Sequence, residues 1–505
     1  MVLQRTAYYQ ALTARDERFD GVFFVGVTST RIYCRPVCRA RTPRLANCKF
    51  FSSPAAAERL GFRPCLRCRP ELAPGNAPVD ATATLAELAS RSIAAGALNG
   101  GSLETLAESL GVTARHLRRA VVQHLGVSPI DLATTHRLLL AKRLLHETSL
   151  PITQVAFASG FESLRRFNDA FKGRYRLAPA SLRREMLTTG ESATGTTAEA
   201  DGVELSLEFR RPLDWDALLG FLRDRATPGV EWVGDRQYAR TMRVHQHTGR
   251  VDVEMRDEGR RPALVARISP SLVPVLMPML AHLRDLFDLD ANPDAIADHL
   301  VRSGITTDRD AVHATRVPGC VDGFELAVRA ILGQQVSVKG ATTLMGRFVR
   351  AFGQPFTDTA PRTGPALELV MPDAERIARL GVGDIAALGM PTSRAQAILA
   401  LARAVADRTL SLEAGGDVAR SVRALNALPG VGDWTAQYVA MRALRWPDAF
   451  PAGDLALRKA AGNITASQLA SRSEAWRPWR AYAAMYLWRS LSASPATGAT
   501  ARSLP

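Results

Sequence analysis

The sequence predicts a multidomain, mainly α protein. It should hold a small α+β zinc domain, a domain of two helix-turn-helix units, an α+β subdomain and an all-helical domain built around a tight hairpin. Three observations carry this. The 505 residues suit about three domains, each able to bury a core. Five of the six cysteines fall between Cys34 and Cys68. Helical periodicity runs through residues 80–187 and again from His282 onward, whereas residues 203–281 alternate as strands do.

The formal net charge of +15 points to an anionic partner, nucleic acid first. The most apolar window, Leu272 to Leu280, is short and contains Pro274 and Pro278, so a membrane partner is excluded. The first twenty residues lack the apolar core of a secretory signal. A cytoplasmic, nucleoid-associated protein is expected, in a compartment where disulfides are rare.

In residues 1–75, Val22 to Val27 reads as a buried strand, followed by TSTRIYCRPVCRAR and, later, GFRPCLRCRPE. Cys34 and Cys38 form one pair, and Cys65 and Cys68 another. Four thiolates at these spacings suit one tetrahedral zinc ion. Cys48 stands outside the pairs and is expected to be a packed thiol. The segment carries 13 Lys and Arg against 5 acids, a net +8, which fits phosphate docking beside a nucleophile. These stretches resemble the N-terminal domain of Ada-type methyl-phosphotriester sensors. The resemblance implies that Cys34 takes a methyl group from a DNA phosphotriester, once per molecule. It also implies that Thr30, Arg41, Arg63 and Arg67 contact DNA.

After the linker Pro74 to Pro78, residues 80–187 form a second domain. Ser102 to Leu110 reads as a capped helix ending at Gly111, and Thr113 to His124 as a basic helix. The order repeats as Ile152 to Ala158, Gly160 and ESLRRFNDAFKGRY, with a long helix from Ile130 to Glu147 between the copies. The doubled unit is similar to AraC-type DNA-binding domains. The Arg115–Arg119 and Ser163–Phe167 regions would then face major grooves, and RNA polymerase is an implied partner.

Residues 188–202 (TTGESATGTTAEADG) read as a flexible linker. Ada-type chains often continue into a second methyltransferase with a Pro-Cys-His motif. The only later cysteine here is Cys320, in VPGCVDGF, which argues against repair of O-methylated guanine.

The α+β subdomain spans 203–282, with strands VELSLEFR, VDVEMR and ALVARIS and a helix from Trp215 to Arg225. A helical domain spans 283–490, and residues 491–505 read as a disordered tail. The centre of the helical domain is LPGVGDWTAQYVAMRALRWPDAFPAGD, Leu428 to Asp454. Its Pro and Gly residues force a turn, Asp433 can cap the helix that follows, and Trp434, Tyr438 and Met441 share a face. Bare N–H groups at such a turn suit a phosphate.

This stretch resembles the helix-hairpin-helix and Gly/Pro/Asp signature of base-excision glycosylases. With RVPGCVDGFELAVRAILGQQVSVKGATTL and WRPWRAYAAMYLWRS, the whole half is similar to 3-methyladenine DNA glycosylase II of the AlkA type. The resemblance implies excision of alkylated purines from duplex DNA with Asp454 as the catalytic carboxylate. It further implies a base pocket of Phe221, Trp434, Tyr438 and Trp488, DNA contacts through Gly430 and Gly432, and a wedge at Gln334 and Gln335. Aromatic faces suit a cationic base. Bifunctional relatives carry a Schiff-base lysine where this chain has Trp434, so base release without strand cleavage is expected, and borohydride should trap no DNA adduct. A cation at the hairpin carbonyls is left open. Two rival readings remain: a regulator whose glycosylase fold only binds DNA, and a glycosylase that uses the first half as a tether.

Overall fold

The computed structural model describes residues 2–16, 19–51, 53–73, 85–188, 202–256, 262–357 and 364–493. Most of the expected linker and tail lies outside them. The last helix, however, continues to Ala493, into the stretch expected to be a disordered tail.

The N-terminal segment opens with α1 (Val2–Ala14) and builds a four-stranded sheet. The strands are β1 (Phe24–Val27), β2 (Ile32–Cys34), β3 (Cys48–Phe51) and β4 (Arg63–Pro64), with α2 (Pro54–Arg59) before the last. Their order is β3-β1-β2-β4. The parallel pair β2–β4 places Tyr33 opposite Pro64, which brings Cys34 and Cys65 to the same end of the sheet. The expected strand at Val22 thus starts two residues later.

Seven helices follow: α3 (Leu85–Ala94), α4 (Leu103–Ser109), α5 (Ala114–Leu125), α6 (Pro129–Glu147), α7 (Ile152–Ala158), α8 (Leu164–Tyr175) and α9 (Pro179–Thr188). Side chains of Ser102, Thr113, Ser128 and Ser163 cap α4, α5, α6 and α8. Gly111 and Gly160 make the two turns with φ of +70° and +90°, a region where a side chain is strained. On α5, Arg115, His116, Arg118 and Arg119 are exposed. On α8, Arg165 and Arg166 are exposed, but Phe167 is fully buried. Phe167 therefore belongs to the core and not to a groove-facing surface.

The next unit is a five-stranded antiparallel sheet with α10 (Trp215–Arg223). Its strands are β5 (Val203–Glu208), β6 (Glu231–Val233), β7 (Gln237–Val244), β8 (His247–Arg256) and β9 (Ala263–Ile268), in the order β5-β9-β8-β7-β6. Strand β7 has no alternating pattern because it is buried on both faces, including Arg240 and Thr241. Arg240 is accommodated by Glu325, 2.7 Å away. One apolar cluster runs from α6–α9 into this sheet: Leu144, Phe167 and Phe171 share it with Leu205, Leu207 and Val253.

The remainder is helical, apart from a two-residue pair of strands, β10 (Gln354–Pro355) and β11 (Leu369–Val370). The helices are α11 (Leu276–Leu286), α12 (Pro293–Arg302), α13 (Arg309–His313), α14 (Gly323–Leu332), α15 (Val338–Phe352), α16 (Ala374–Ala378), α17 (Val382–Ala386), α18 (Thr392–Ala406), α19 (Val418–Asn426), α20 (Asp433–Arg442), α21 (Leu455–Ala460), α22 (Ala466–Ser473) and α23 (Arg480–Ala493). Two apolar cores meet at α20: Val439 belongs to one, Met441 to the other, and Tyr438 packs against both. Met441 is thus core and does not join the Trp434–Tyr438 face. No helix of the described residues is long and apolar enough to cross a membrane.

Candidate functional site

The hairpin between α19 and α20 turns at Gly430, whose φ is +76°. A Cβ there would sit 3.1 Å from that of Ala397, so only glycine lets the hairpin lie against α18. Gly432, not Asp433, is the N-cap of α20. Its dihedrals are extended and its side is open, while Asp433 occupies the first helical position, where its charge favours the helix dipole.

Gln334 braces this hairpin. Its Nε2 donates to the Gly430 carbonyl (2.9 Å) and to Thr435 Oγ1 (3.1 Å), and its own carbonyl accepts from Arg394 (2.6 Å). The side chain is therefore turned onto the hairpin. Gln335 is exposed with φ of +57°, beside the exposed Val336 and Val338. The structure thus separates two glutamines that sequence alone treats alike.

Asp454 caps α21 through Oδ1, which accepts from Leu457 N (2.8 Å). The same oxygen accepts from Trp488 Nε1 (3.1 Å), and Oδ2 accepts from Trp434 Nε1 (2.9 Å). Three N–H donors from three helices hold one half-buried carboxylate, which as an ion is acceptor only. Trp434 stacks on Tyr438, with centroids 5.4 Å apart and planes at 10°. Trp488 meets Tyr438 edge-on at 6.3 Å.

Phe221 reaches this cluster through arginines. The guanidinium carbon of Arg225 lies 3.8 Å from its ring centroid and that of Arg442 lies 5.0 Å away. Arg442 also donates to the Tyr438 hydroxyl (2.8 Å) and to the carbonyls of Pro318 and Gly319. Burial raises the Tyr438 phenol, but the neighbouring Arg442 and Arg225 outweigh it and leave its pKa below the usual value. Neither arginine stands out in the sequence, because nothing local marks them as neighbours of Phe221.

At the other end of the chain, the sulfurs of Cys34, Cys38, Cys65 and Cys68 lie within 4.8 Å of one another, and all four residues are buried. A tetrahedral zinc with bonds of about 2.3 Å needs sulfurs about 3.8 Å apart, so the set fits that ion. Among the described residues it is the only such cluster of metal-binding side chains. Cys48 packs against it, its thiol 3.3 Å from the Arg44 carbonyl. Thr30, Arg41, Arg63 and Arg67 are all exposed. At the hairpin, the Gly430 carbonyl is already used by Gln334, and nothing supports a cation there.

Glu58 joins the two N-terminal domains. Its fully buried carboxyl accepts from Tyr33 OH (2.9 Å) and Thr135 Oγ1 (3.2 Å), with Arg174 at 3.4 Å. Burial pushes its pKa up to about 7 against the pull of Arg174. Nothing in the local sequence marks this joint.

Comparison with known proteins finds four family profiles along the chain. The profile described as the metal binding domain of Ada matches residues 7–71, and a helix-turn-helix domain matches 106–185. The AlkA N-terminal domain matches 204–322, and the HhH-GPD superfamily base excision DNA repair protein matches 328–479. A Mycobacterium tuberculosis protein named "Probable bifunctional transcriptional activator/DNA repair enzyme AlkA" is 40% identical over 491 residues, 96% of each chain. Escherichia coli DNA-3-methyladenine glycosylase 2 is 37% identical over 283 residues, 56% of this chain and 96% of its own. The Bacillus subtilis bifunctional transcriptional activator/DNA repair enzyme AdaA is 29% identical over 177 residues, 35% of this chain and 81% of its own.

Proposed function

Because the chain belongs to the family of bifunctional transcriptional activator/DNA repair enzymes AlkA, we propose that it both regulates transcription and excises alkylated purines from duplex DNA. The carrying observation is the carboxylate of Asp454, held by the indole N–H groups of Trp434 and Trp488 beside a stacked aromatic pair.

The hairpin at Gly430 and Gly432 grips the DNA backbone, and Gln335 enters the gap left by the extruded nucleotide. Trp434 and Tyr438 offer π-faces to the cationic base. As the bond from C1′ to the base breaks, its electrons leave with the base and the sugar becomes positive. The carboxylate of Asp454 stabilises that charge. Water then bonds to C1′ and loses a proton to solvent. Release of methylated purines by the wild type, and none by Asp454→Asn, supports this reading. No release from either folded protein would make the second half a DNA-binding module of a regulator.

The four-cysteine centre favours a second activity in the same molecule. Bound zinc would keep the sulfurs deprotonated without a base. The Cys34 sulfur attacks the methyl carbon of a phosphotriester. A sulfur–carbon bond forms, the carbon–oxygen bond breaks, and its electron pair stays on the phosphate. The thiolate charge is lost, so DNA binding by Thr30, Arg41, Arg63, Arg67 and the two basic helices should strengthen. Recruitment of RNA polymerase to the bound promoter completes the reading. Mass analysis of the Cys34 peptide after exposure to methylated DNA tests it; absence of the added methyl overturns it.

A further inference from the structure

Strand β5 is one of the two edge strands of the five-stranded sheet, and its Glu208 reaches the zinc-binding segment. Arg35 follows Cys34 directly and is 1% exposed. Its backbone N–H donates to Cys68 Sγ (3.3 Å), and its Nη1 donates to the Cys68 carbonyl (3.3 Å). Its guanidinium also bonds Asp20 through both oxygens, Nε to Oδ1 at 2.8 Å. The last partner comes from β5: Arg35 Nη2 reaches Glu208 Oε2 at 2.8 Å. Asp20 is fixed in turn by Arg210, which donates twice to its carbonyl.

The same pattern repeats on the other side of Cys68. Arg69 bonds Glu147 of α6 at 2.5 Å, and Glu147 accepts from Ser206 N of β5 at 3.2 Å. Lys142 of α6 donates to the Cys65 carbonyl (3.4 Å) and pairs with Glu71 (2.8 Å). Each of these cations near the four-cysteine cluster, the buried Arg35 and Lys142 and the half-buried Arg69, is thus paired with a carboxylate.

An unmatched guanidinium next to a cluster of thiolates would hold their electrons and blunt their attack. Arg35 and Arg210 set against Asp20 and Glu208 make two cations and two carboxylates, so Arg35 still directs a backbone N–H at Cys68 while the group exerts little net field. Outer-shell partners of this kind commonly change metal affinity or activity by ten- to a hundredfold.

We propose that Glu208, a residue of the repair half, tunes and positions the sulfur nucleophile of the N-terminal domain through Arg35. This rests on the reading of Cys34 as methyl acceptor. Glu208 is a positioning residue: it touches neither DNA nor sulfur.

The test uses the full chain with Glu208→Gln and Glu208→Asp, and three readouts. These are methyl uptake at Cys34, the sulfur-to-metal charge-transfer bands of the cobalt-substituted protein, and excision of methylated purines. Glu208→Gln should slow methyl uptake by about tenfold and shift the cobalt bands, with excision unchanged. Glu208→Asp keeps the charge and should recover most of the rate, which a purely structural role would not predict. Wild-type uptake together with superimposable bands in Glu208→Gln overturns the proposal. If the wild type itself takes no methyl, the acceptor reading falls and the bands alone decide: a shift in Glu208→Gln supports the coupling, and no shift overturns it. Should Glu208→Gln fail to fold, Arg35→Lys, which cannot bridge two carboxylates, replaces it in the same measurements: slowed uptake with shifted bands supports the coupling, and wild-type behaviour in both overturns it.

Discussion

The two groups to which the proposed chemistry falls, the carboxylate of Asp454 and the sulfur of Cys34, sit in shells of different kinds. Around Asp454 the partners are neutral: two indole N–H groups and one backbone N–H. All three come from its own half of the chain. At the sulfurs the direct donor is a backbone N–H, that of Arg35, but ions stand behind it, and two of their carboxylates, Glu147 and Glu208, come from other domains. On the proposed reading, the centre that would turn over has a scaffold from its own half, and the centre that would react once is tied to the neighbouring domains through Glu147 and Glu208.

The largest effect should come from removing the carboxylate itself. Asp454→Asn keeps the size and one oxygen to cap α21, but it loses the charge and turns an NH2 toward the Trp434 Nε1–H. Single-turnover excision should fall by about three orders of magnitude, with an unchanged circular dichroism spectrum. Methyl uptake at Cys34 should be untouched, because the two shells share no residue. Loss of both would mean the shells are coupled.

The next effect concerns Glu58, at the joint between the zinc-binding segment and the helix-turn-helix domain. Glu58 has its pKa raised to about 7 by burial, against 4.5 for the free group. Below about 4.5 both folded and unfolded chains hold the proton. Between there and about 7 only the folded chain holds it, so stability falls as the pH rises through that window. The difference amounts to about 3 kcal/mol. Denaturant melts of the zinc and helix-turn-helix region between those pH values should show it, and Glu58→Gln should flatten the slope.

A smaller effect sharpens the neutral side. Trp434→Phe keeps the ring stacked on Tyr438 and deletes one N–H donor to Asp454. A hydrogen bond to a charged group is worth about 2 kcal/mol, so excision should slow by more than tenfold, with little change in substrate affinity. A rise in KM alone would assign Trp434 to base binding and not to orienting the carboxylate.

Much of both centres was legible from local sequence. Paired cysteines and the run from Leu428 to Asp454 each declare themselves within a few dozen residues, because a metal tetrahedron and a helix cap both need fixed spacing. What escaped was set by distant packing. Strand β7 hid because buried Arg240 breaks the apolar alternation and is balanced only by Glu325, far along the chain. Gln334 and Gln335 look interchangeable until the hairpin binds one of them. Arg225, Arg442 and Glu208 are ordinary charged residues in sequence, and only the fold gives them their neighbours. The capping role expected of Asp433 fell to Gly432 because the hairpin enters the helix one residue earlier.

Strand β5 carries one more consequence. Ser206 gives its N–H to Glu147 and its carbonyl to Arg143 at 2.6 Å, and Leu205 and Leu207 share an apolar cluster with α6–α9. A fragment beginning at Gly202 would therefore display an uncovered strand edge and a stripped apolar face, the usual start of self-association. Conversely, a chain nicked anywhere between Thr188 and Gly202 should migrate as one particle, held by the docked surfaces rather than by the peptide bond.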